Sequence, residues 1–415
     1  MSYFSIEGGR RLTGTITAEG AKNAVLPACA ASLLTDDPVV LKHVPHLRDV
    51  STILAIISSL GKHAIHVGDT VVITRGHAMK AEADAYYVEQ MRASFLVLGP
   101  LLARLGHAAV PLPGGCTIGP RPVDMHLEGI RQLGAAIEID PDRVRATAER
   151  LSGARINLPY PSVGATEQLL MAASLARGET EIENPAKEPE IMDLIDLLRK
   201  MGAQIKVEPD RIRVAGVSRL QGAEHTIIPD RMEVGTYLLA AAITGGSVEA
   251  QNVISEHLRP LLSVLQDAGI SASVKETSVV VSAKGHPRPI QITTAPHPGF
   301  PTDLHPPLAA FLSLGEGESR LSEGVFKQRF TYAPGLNTMG AKIDIDGTTA
   351  YINGVKRLHG VRVEAPDIRA GAALVLAGLA AEGTTTVHHL QPIDRGYAEI
   401  ERKLSSLGAS IERHI

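Results

Sequence analysis

The 415-residue chain has no tryptophan, and eight tyrosines and six phenylalanines are its only aromatic residues besides histidine. Binding of single-stranded nucleic acid relies on aromatic stacking platforms, so this shortage argues against such a partner. Neither sign of charge is in excess: 41 Lys and Arg oppose 45 Asp and Glu, for a formal net charge of −4. The basic footprint of a nucleic-acid binder is therefore missing. Cysteine is scarce as well, and Cys29 and Cys116 cannot build a disulfide framework. No apolar run approaches the ~18 residues of a membrane span. The opening residues, Met1 to Ile6, lack a basic segment followed by an apolar one, so no signal peptide is expected. With 44% hydrophobic residues the chain can fill large cores. What remains is a soluble globular protein of a reducing compartment, expected in the cytoplasm. The prior is two or three domains at ~150 residues each.

What the chain does have is an internal repeat. An apolar residue, a glycine and a small residue are followed by an alternating apolar run, a turn and a second alternating run. The glycines fall at 61, 134, 202, 269, 340 and 408. Each follows a helical stretch, such as Leu197-Leu198-Arg199-Lys200-Met201 before Gly202, as a helix-terminating glycine does. Gln204 to Glu208 alternates with period two and predicts a half-buried strand. Pro209-Asp210 supplies a turn, and Arg211 to Val214 is the returning strand. An Ala/Leu-rich helix recurs later in each unit, as at Tyr237 to Ile243, suited to close packing with the strands outside. The sixth copy lacks its return strand. Phe4 to Gly8 resembles Ile212 to Gly216, so the first ~20 residues are expected to complete the sixth unit. Two halves of three units follow, residues 22–229 and residues 1–21 with 230–415, an arrangement suited to hinge closure around a ligand.

Polar or small residues occupy the start of every Ala/Leu-rich helix. They are Gly20 to Asn23, Glu89 to Arg92, Ser162 to Thr166, Asp230 to Glu233, Pro301 to Asp303 and Asp367 to Arg369. Helix N-termini attract anions through their unpaired N–H groups and positive partial charge. Asp, Ser and Thr at such places also act as plain N-caps. Lys22, Arg92 and Arg369 are not cap residues and point to an anion site.

Pro111 to His126 gathers proline and glycine around Cys116, with Arg121 five residues on. That composition predicts an exposed loop whose thiol could have its pKa lowered by nearby cations. Cys29, among Leu26, Ala28 and Ala30, predicts a small core residue.

Several segments together resemble the UDP-N-acetylglucosamine enolpyruvyl transferases. They are Lys22-Asn23, Met91-Arg92-Ala93-Ser94, Gly114-Gly115-Cys116-Thr117-Ile118-Gly119-Pro120-Arg121-Pro122-Val123-Asp124 and Ser162-Val163-Gly164-Ala165-Thr166. Further along are Asp230-Arg231, Phe300-Pro301-Thr302-Asp303, Arg329-Phe330, Asp367-Ile368-Arg369 and Asp394-Arg395-Gly396-Tyr397. The resemblance runs from Phe4 to Gly408. It implies an α/β fold of two inside-out, barrel-like domains, each of three βαβαββ repeats. It also implies transfer of the enolpyruvyl group of phosphoenolpyruvate to the 3-hydroxyl of UDP-N-acetylglucosamine, releasing phosphate, at the committed step of peptidoglycan synthesis. That role would tie the chain to cell-wall biogenesis, cell shape and division, and to fosfomycin, the family's epoxide inhibitor, acting on Cys116.

By the same resemblance the catalytic residues are Cys116, Asp303, Lys22 and Arg395. Asp303 would be the base and Cys116 the acid at C3. Lys22, Asn23, Arg121, Arg369 and Arg395 would hold phosphoenolpyruvate. Asn23, Arg92, Arg121, Pro122, Val123, Asp124, Met125, Ser162, Val163, Gly164, Asp303 and Val325 would hold the nucleotide sugar. No metal or cofactor is implied; the partners are the two small-molecule substrates, without nucleic acid or membrane, and a monomer fits the sequence. Leu304-His305-Pro306-Pro307 departs from the family's usual Met-Gln, and Lys327-Gln328 from its usual Glu-Asn. Two alternatives follow: a paralogous transferase with another nucleotide acceptor such as UMP, and a non-catalytic nucleotide-sugar-binding paralogue.

Overall fold

A computed structural model describes residues 2–112 and 123–415. The six repeat glycines all adopt left-handed backbone conformations, with φ between 84° and 108°. The reason is local. Each ends a helix, and a residue with a Cβ is strained in that geometry. At Gly202 the amide donates to Arg199 O at 2.9 Å and the next amide, of Ala203, reaches back to Leu198 O at 2.9 Å. The same pair of bonds recurs at Gly134, Gly269, Gly340 and Gly408. One terminator thus turns five helices into the strand that follows.

The sheets repeat one plan. Arg155–Asn157 lies parallel to Glu179–Glu183; Arg211–Ala215 pairs antiparallel on the other side of that strand, and Gln204–Glu208 forms the outer edge. The order is the same for Gln291–Thr293, Glu318–Ser322, Thr349–Asn353 and Lys342–Asp346. A parallel neighbour needs a crossover, and an Ala/Leu-rich helix supplies it. In the sixth sheet Tyr3–Glu7 takes the return-strand position between Thr384–His388 and Ser410–His414, with Ile6 opposite Thr385 and Ile411. The rest of the N-terminal segment departs from expectation. Thr13–Thr17 does not join the sixth sheet but runs parallel to Ser247–Gln251 in the fourth. Ala223–Thr226 does the equivalent for the first sheet, parallel to Val39–Lys42. Gly9 and Gly14, both at positive φ, flank the stretch where the chain leaves one sheet for the other.

Two kinds of helix result. Every residue of Arg231–Ile243 is buried, as is every residue of Lys22–Ala31 except Asn23. Helices apolar all round belong in an interior. The Ala/Leu-rich helices are therefore the centres, and the sheets with amphipathic helices such as Pro189–Lys200 and Ser255–Asp267 lie outside them. Small residues permit the close approach. A Cβ on Gly235 would stand 2.7 Å from Leu304 Cδ1. This is the inside-out α/β arrangement, mixed in its strands and, among the described residues, without a closed barrel. Cys29 is fully buried, and burial pushes its thiol up to about 12. The described residues divide into two compact bodies, 20–112 with 123–228, and 2–19 with 229–415.

One core helix carries an acid. Glu167, in Val163–Ala173, is 4% exposed; burial, then the charges of Glu190 and Glu188, push its carboxyl well above the ordinary range. A carboxyl raised in the folded state contributes stability below its unfolded pKa and loses it as pH rises. Glu167→Gln is therefore expected to melt about 2–4 °C higher than the parent at pH 8, the shift of about 1 kcal/mol in a body of this size. The gap should narrow toward pH 4.5, where the folded carboxyl is protonated and about half of the unfolded-state carboxyls are too. A pH-independent difference in a melting series from pH 4.5 to 8 would count against this account.

Candidate functional site

In the body of residues 20–228, Lys22 opens the helix Lys22–Ala31. A cation at a helix start opposes the helix dipole, so its position needs a counter-charge. Asp49 provides it: Lys22 Nζ stands 3.2 Å from Asp49 Oδ2, with both side chains buried. Asn23, the next residue, is exposed. Arg92 opens the short helical turn Arg92–Val97, which packs against Lys22–Ala31 and against Val163–Ala173.

The helix Asp124–Gln132 closes on the same place through His126. His126 is 5% exposed, its Nδ1 lies 2.9 Å from Gln168 Oε1, and the Phe95 ring meets it edge-on. Burial pushes the imidazole down to about 4, the Gln168 bond opposing and the Arg92 charge assisting, so the ring is neutral at pH 7. A Cβ on Gly164 would stand 2.9 Å from His126 Cε1, so only glycine allows this contact. Ser162 caps the helix by accepting from Ala165 N. Lys22, Arg92 and the segments 123–126 and 162–164 are thus carried on elements packed together. Cys116, Arg121 and Pro122 lie outside the described residues.

In the other body, three helix starts gather around one guanidinium. Asp230 caps Arg231–Ile243, accepting from Met232 N and Glu233 N at 2.8 and 3.0 Å. Asp367 caps Ile368–Ala380 through Arg369 N and Ala370 N, and also receives the Thr331 hydroxyl. Asp303 sits in the turn Thr302–Leu304 ahead of His305–Leu312. Arg369 links them. Its Nε and Nη2 reach Asp303 Oδ2 at 3.1 and 2.9 Å, and its guanidinium lies 5.3 Å from the Tyr397 ring centre. Burial works against the charge of Arg369, but Tyr397, Asp303 and Asp230 outweigh it and raise its pKa.

The second oxygen of Asp303 is held separately, by Arg329 Nη2 at 2.7 Å. Arg329 is 2% exposed, and its Nε and Nη1 are buried without a hydrogen-bond partner among the described residues. A carboxylate between two arginines is fixed in orientation. Val325 follows the strand Glu318–Ser322, and Lys327 and Gln328 are exposed. Arg395 follows the short helix Gln391–Asp394. Asp394 on one side is gripped by Arg413 Nη1 and Nη2 at 3.1 and 2.7 Å, and Tyr397 on the other bonds Thr236 at 2.9 Å.

Arg329 lies within the Arg329-Phe330 motif, whereas nothing in the sequence marks His126, Glu323 or Arg413, whose side-chain partners lie 12 or more residues away. Asp303, Arg369 and the Asp230 cap do come together, as do Gly164 and the segment 123–126.

A family model described as EPSP synthase (3-phosphoshikimate 1-carboxyvinyltransferase) matches residues 6–404. UDP-N-acetylglucosamine 1-carboxyvinyltransferase 2 of Carboxydothermus hydrogenoformans is 50% identical over 100% of this chain and 99% of its own. UDP-N-acetylglucosamine 1-carboxyvinyltransferase of Geobacter metallireducens is 47% identical over 100% of this chain and 99% of its own. Among solved structures, the enolpyruvyl transferase NikO from Streptomyces tendae superposes with a TM-score of 0.91 at 26% identity, covering 99% of this chain and 98% of that one. Near-half identity over the whole length leaves no part of the chain unaccounted for, and the chain belongs to the UDP-N-acetylglucosamine 1-carboxyvinyltransferase family of enolpyruvyl transferases.

Proposed function

We infer that the chain transfers the enolpyruvyl group of phosphoenolpyruvate to the 3-hydroxyl of UDP-N-acetylglucosamine and releases phosphate, the entry reaction of peptidoglycan synthesis. The observation that carries this is the Asp303 carboxylate clasped between Arg329 and Arg369, in a chain about half identical to transferases named for that reaction.

The roles follow from the chemistry. Asp303 takes the proton of the acceptor hydroxyl as its oxygen bonds to C2 of phosphoenolpyruvate, and a carboxylate suits that task. Cys116 delivers a proton to C3, giving a tetrahedral ketal with a methyl group. Loss of a proton from that methyl group expels phosphate and restores the double bond, now in the enolpyruvyl ether. Lys22, Arg121, Arg369 and Arg395 hold the phosphate and carboxylate throughout; the arginine fork matches both anions. Asn23, Arg92, segments 121–125 and 162–164, and the backbone at Val325 receive the nucleotide sugar.

Phosphate release, measured with phosphoenolpyruvate and either UDP-N-acetylglucosamine or UMP, tests this reading. Turnover is expected with the nucleotide sugar. Turnover with UMP alone would assign the chain to another acceptor, and none with either would leave a binding protein.

A further inference from the structure

The turn that carries Asp303 and the turn that carries Val325 are separate in sequence, and one buried carboxylate joins them. Glu323 is 3% exposed, and its two oxygens divide the work. Oε2 accepts from the Thr302 hydroxyl at 2.9 Å and meets His305 Nδ1 at 2.9 Å. Oε1 accepts from the amides of Val325 and Phe326 at 3.0 and 3.1 Å, and from the Thr294 hydroxyl. One oxygen therefore holds the segment around Asp303, and the other holds the turn that starts at Val325.

His305 completes the device. It is fully buried, and its Nε2 lies 2.8 Å from the Tyr332 hydroxyl. Burial pushes the imidazole down, which favours a neutral ring. A neutral ring donating from Nδ1 to the carboxylate must accept at Nε2, and the Tyr332 hydroxyl supplies that proton. Both nitrogens are then satisfied. Glu323 stays ionised: burial would raise its pKa, but hydrogen bonds from His305, Thr294 and the Phe326 amide hold it below the usual carboxylate range. The glutamate bonds neither Arg369 nor Arg329, whose hydrogen bonds to Asp303 are independent of it.

We propose that Glu323 and His305 form a positioning pair that sets affinity for the nucleotide-sugar acceptor. They lock the Thr302-Asp303 turn and the Val325-Phe326 turn into one register. This rests on the acceptor reading of Asp303 and Val325 given above. Among the described residues the pair bonds no group assigned to phosphoenolpyruvate, so its loss falls chiefly on the acceptor. Glutamine at 305 can make the same two bonds, because its amide carries one donor end and one acceptor end. Leucine can make neither.

The test is calorimetric titration of UDP-N-acetylglucosamine into the intact protein, which reads binding without turnover, alongside steady-state kinetics for both substrates. Glu323→Gln and His305→Leu are expected to raise the acceptor Kd and KM at least tenfold, with the KM for phosphoenolpyruvate within twofold. His305→Gln should stay within threefold of the parent. Thr302→Val removes only one bond at the edge of the network and should raise the acceptor Kd three- to fivefold, giving a folded variant if Glu323→Gln does not fold. An unchanged acceptor Kd in Glu323→Gln and Thr302→Val overturns the proposal. So does an equal rise in both KM values, which is the signature of general loosening. A parent that binds the sugar but releases no phosphate overturns the catalytic reading instead, and the Kd comparison still decides this one.

Discussion

Asp303→Asn is expected to lower kcat about 10²–10⁴-fold, the range that a positioned general base contributes. Asparagine keeps the shape of the side chain but not its chemistry. It has one acceptor oxygen in place of two and turns an NH2 group toward a guanidinium. Arg369 approaches Oδ2 with two N–H groups and Arg329 approaches Oδ1 with one, so either orientation of the amide leaves an arginine facing a donor. Arg329 is the more exposed to harm in energetic terms, because it is buried and would lose its counter-charge. Removing one partner of a fully buried pair costs about 3–5 kcal/mol, and with Asp303 one-quarter exposed the cost here falls below that. The variant should therefore melt lower as well as turn over slowly. Phosphate release under conditions where the variant is shown to be folded separates the two effects. A kcat within tenfold of the parent would remove Asp303 from the role of base.

Arg369→Lys is the second large effect. Lysine keeps the charge and loses the fork. The two-donor contact to Asp303 Oδ2 becomes a single bond, and the guanidinium 5.3 Å from the Tyr397 ring centre is lost. One charge-assisted hydrogen bond is worth about 1.5–3 kcal/mol. The expected loss in kcat/KM for phosphoenolpyruvate is therefore about 10- to 100-fold. Because Arg369 both holds the carboxylate of Asp303 and is proposed to hold substrate, kcat and KM should change together. A variant with parental kcat/KM would show that the charge alone suffices and that the fork is dispensable.

Much of the fold is legible because its signals are local. A glycine that ends a helix has to sit where the helix ends, so six of them mark six units whatever the rest of the chain does. The all-apolar helices likewise announce an interior position, and Cys29 lies within one. The destination of Thr13–Thr17 is not local. The similarity of Phe4 to Gly8 to Ile212 to Gly216 places the strand before it, but does not say which sheet Thr13–Thr17 enters. That is set by where the chain returns hundreds of residues later.

The site divides in the same way. Lys22, Arg369 and the capping residues are readable from their places at helix starts. Glu323 and His126 are not, since a strand-end acid and a histidine on an amphipathic helix look like surface residues. Their partners Thr294, Thr302, His305 and Gln168 belong to other segments, and only tertiary packing brings them together.

The exchange of strands also orders the events of synthesis. Among the described residues, 20–112 with 123–228 contain every strand of their own three sheets, so that body can finish once Ala223–Thr226 has emerged and paired with Val39–Lys42. The other body cannot. Thr13–Thr17 waits for Ser247–Gln251, and Tyr3–Glu7 waits for Thr384–His388 and Ser410–His414. Contacts so distant in sequence form slowly and late, while domains made early fold as units on the ribosome. Tyr3–Glu7 thus emerges early and finds its place late, because its ladder with Ser410–His414 forms only after some four hundred further residues have been made.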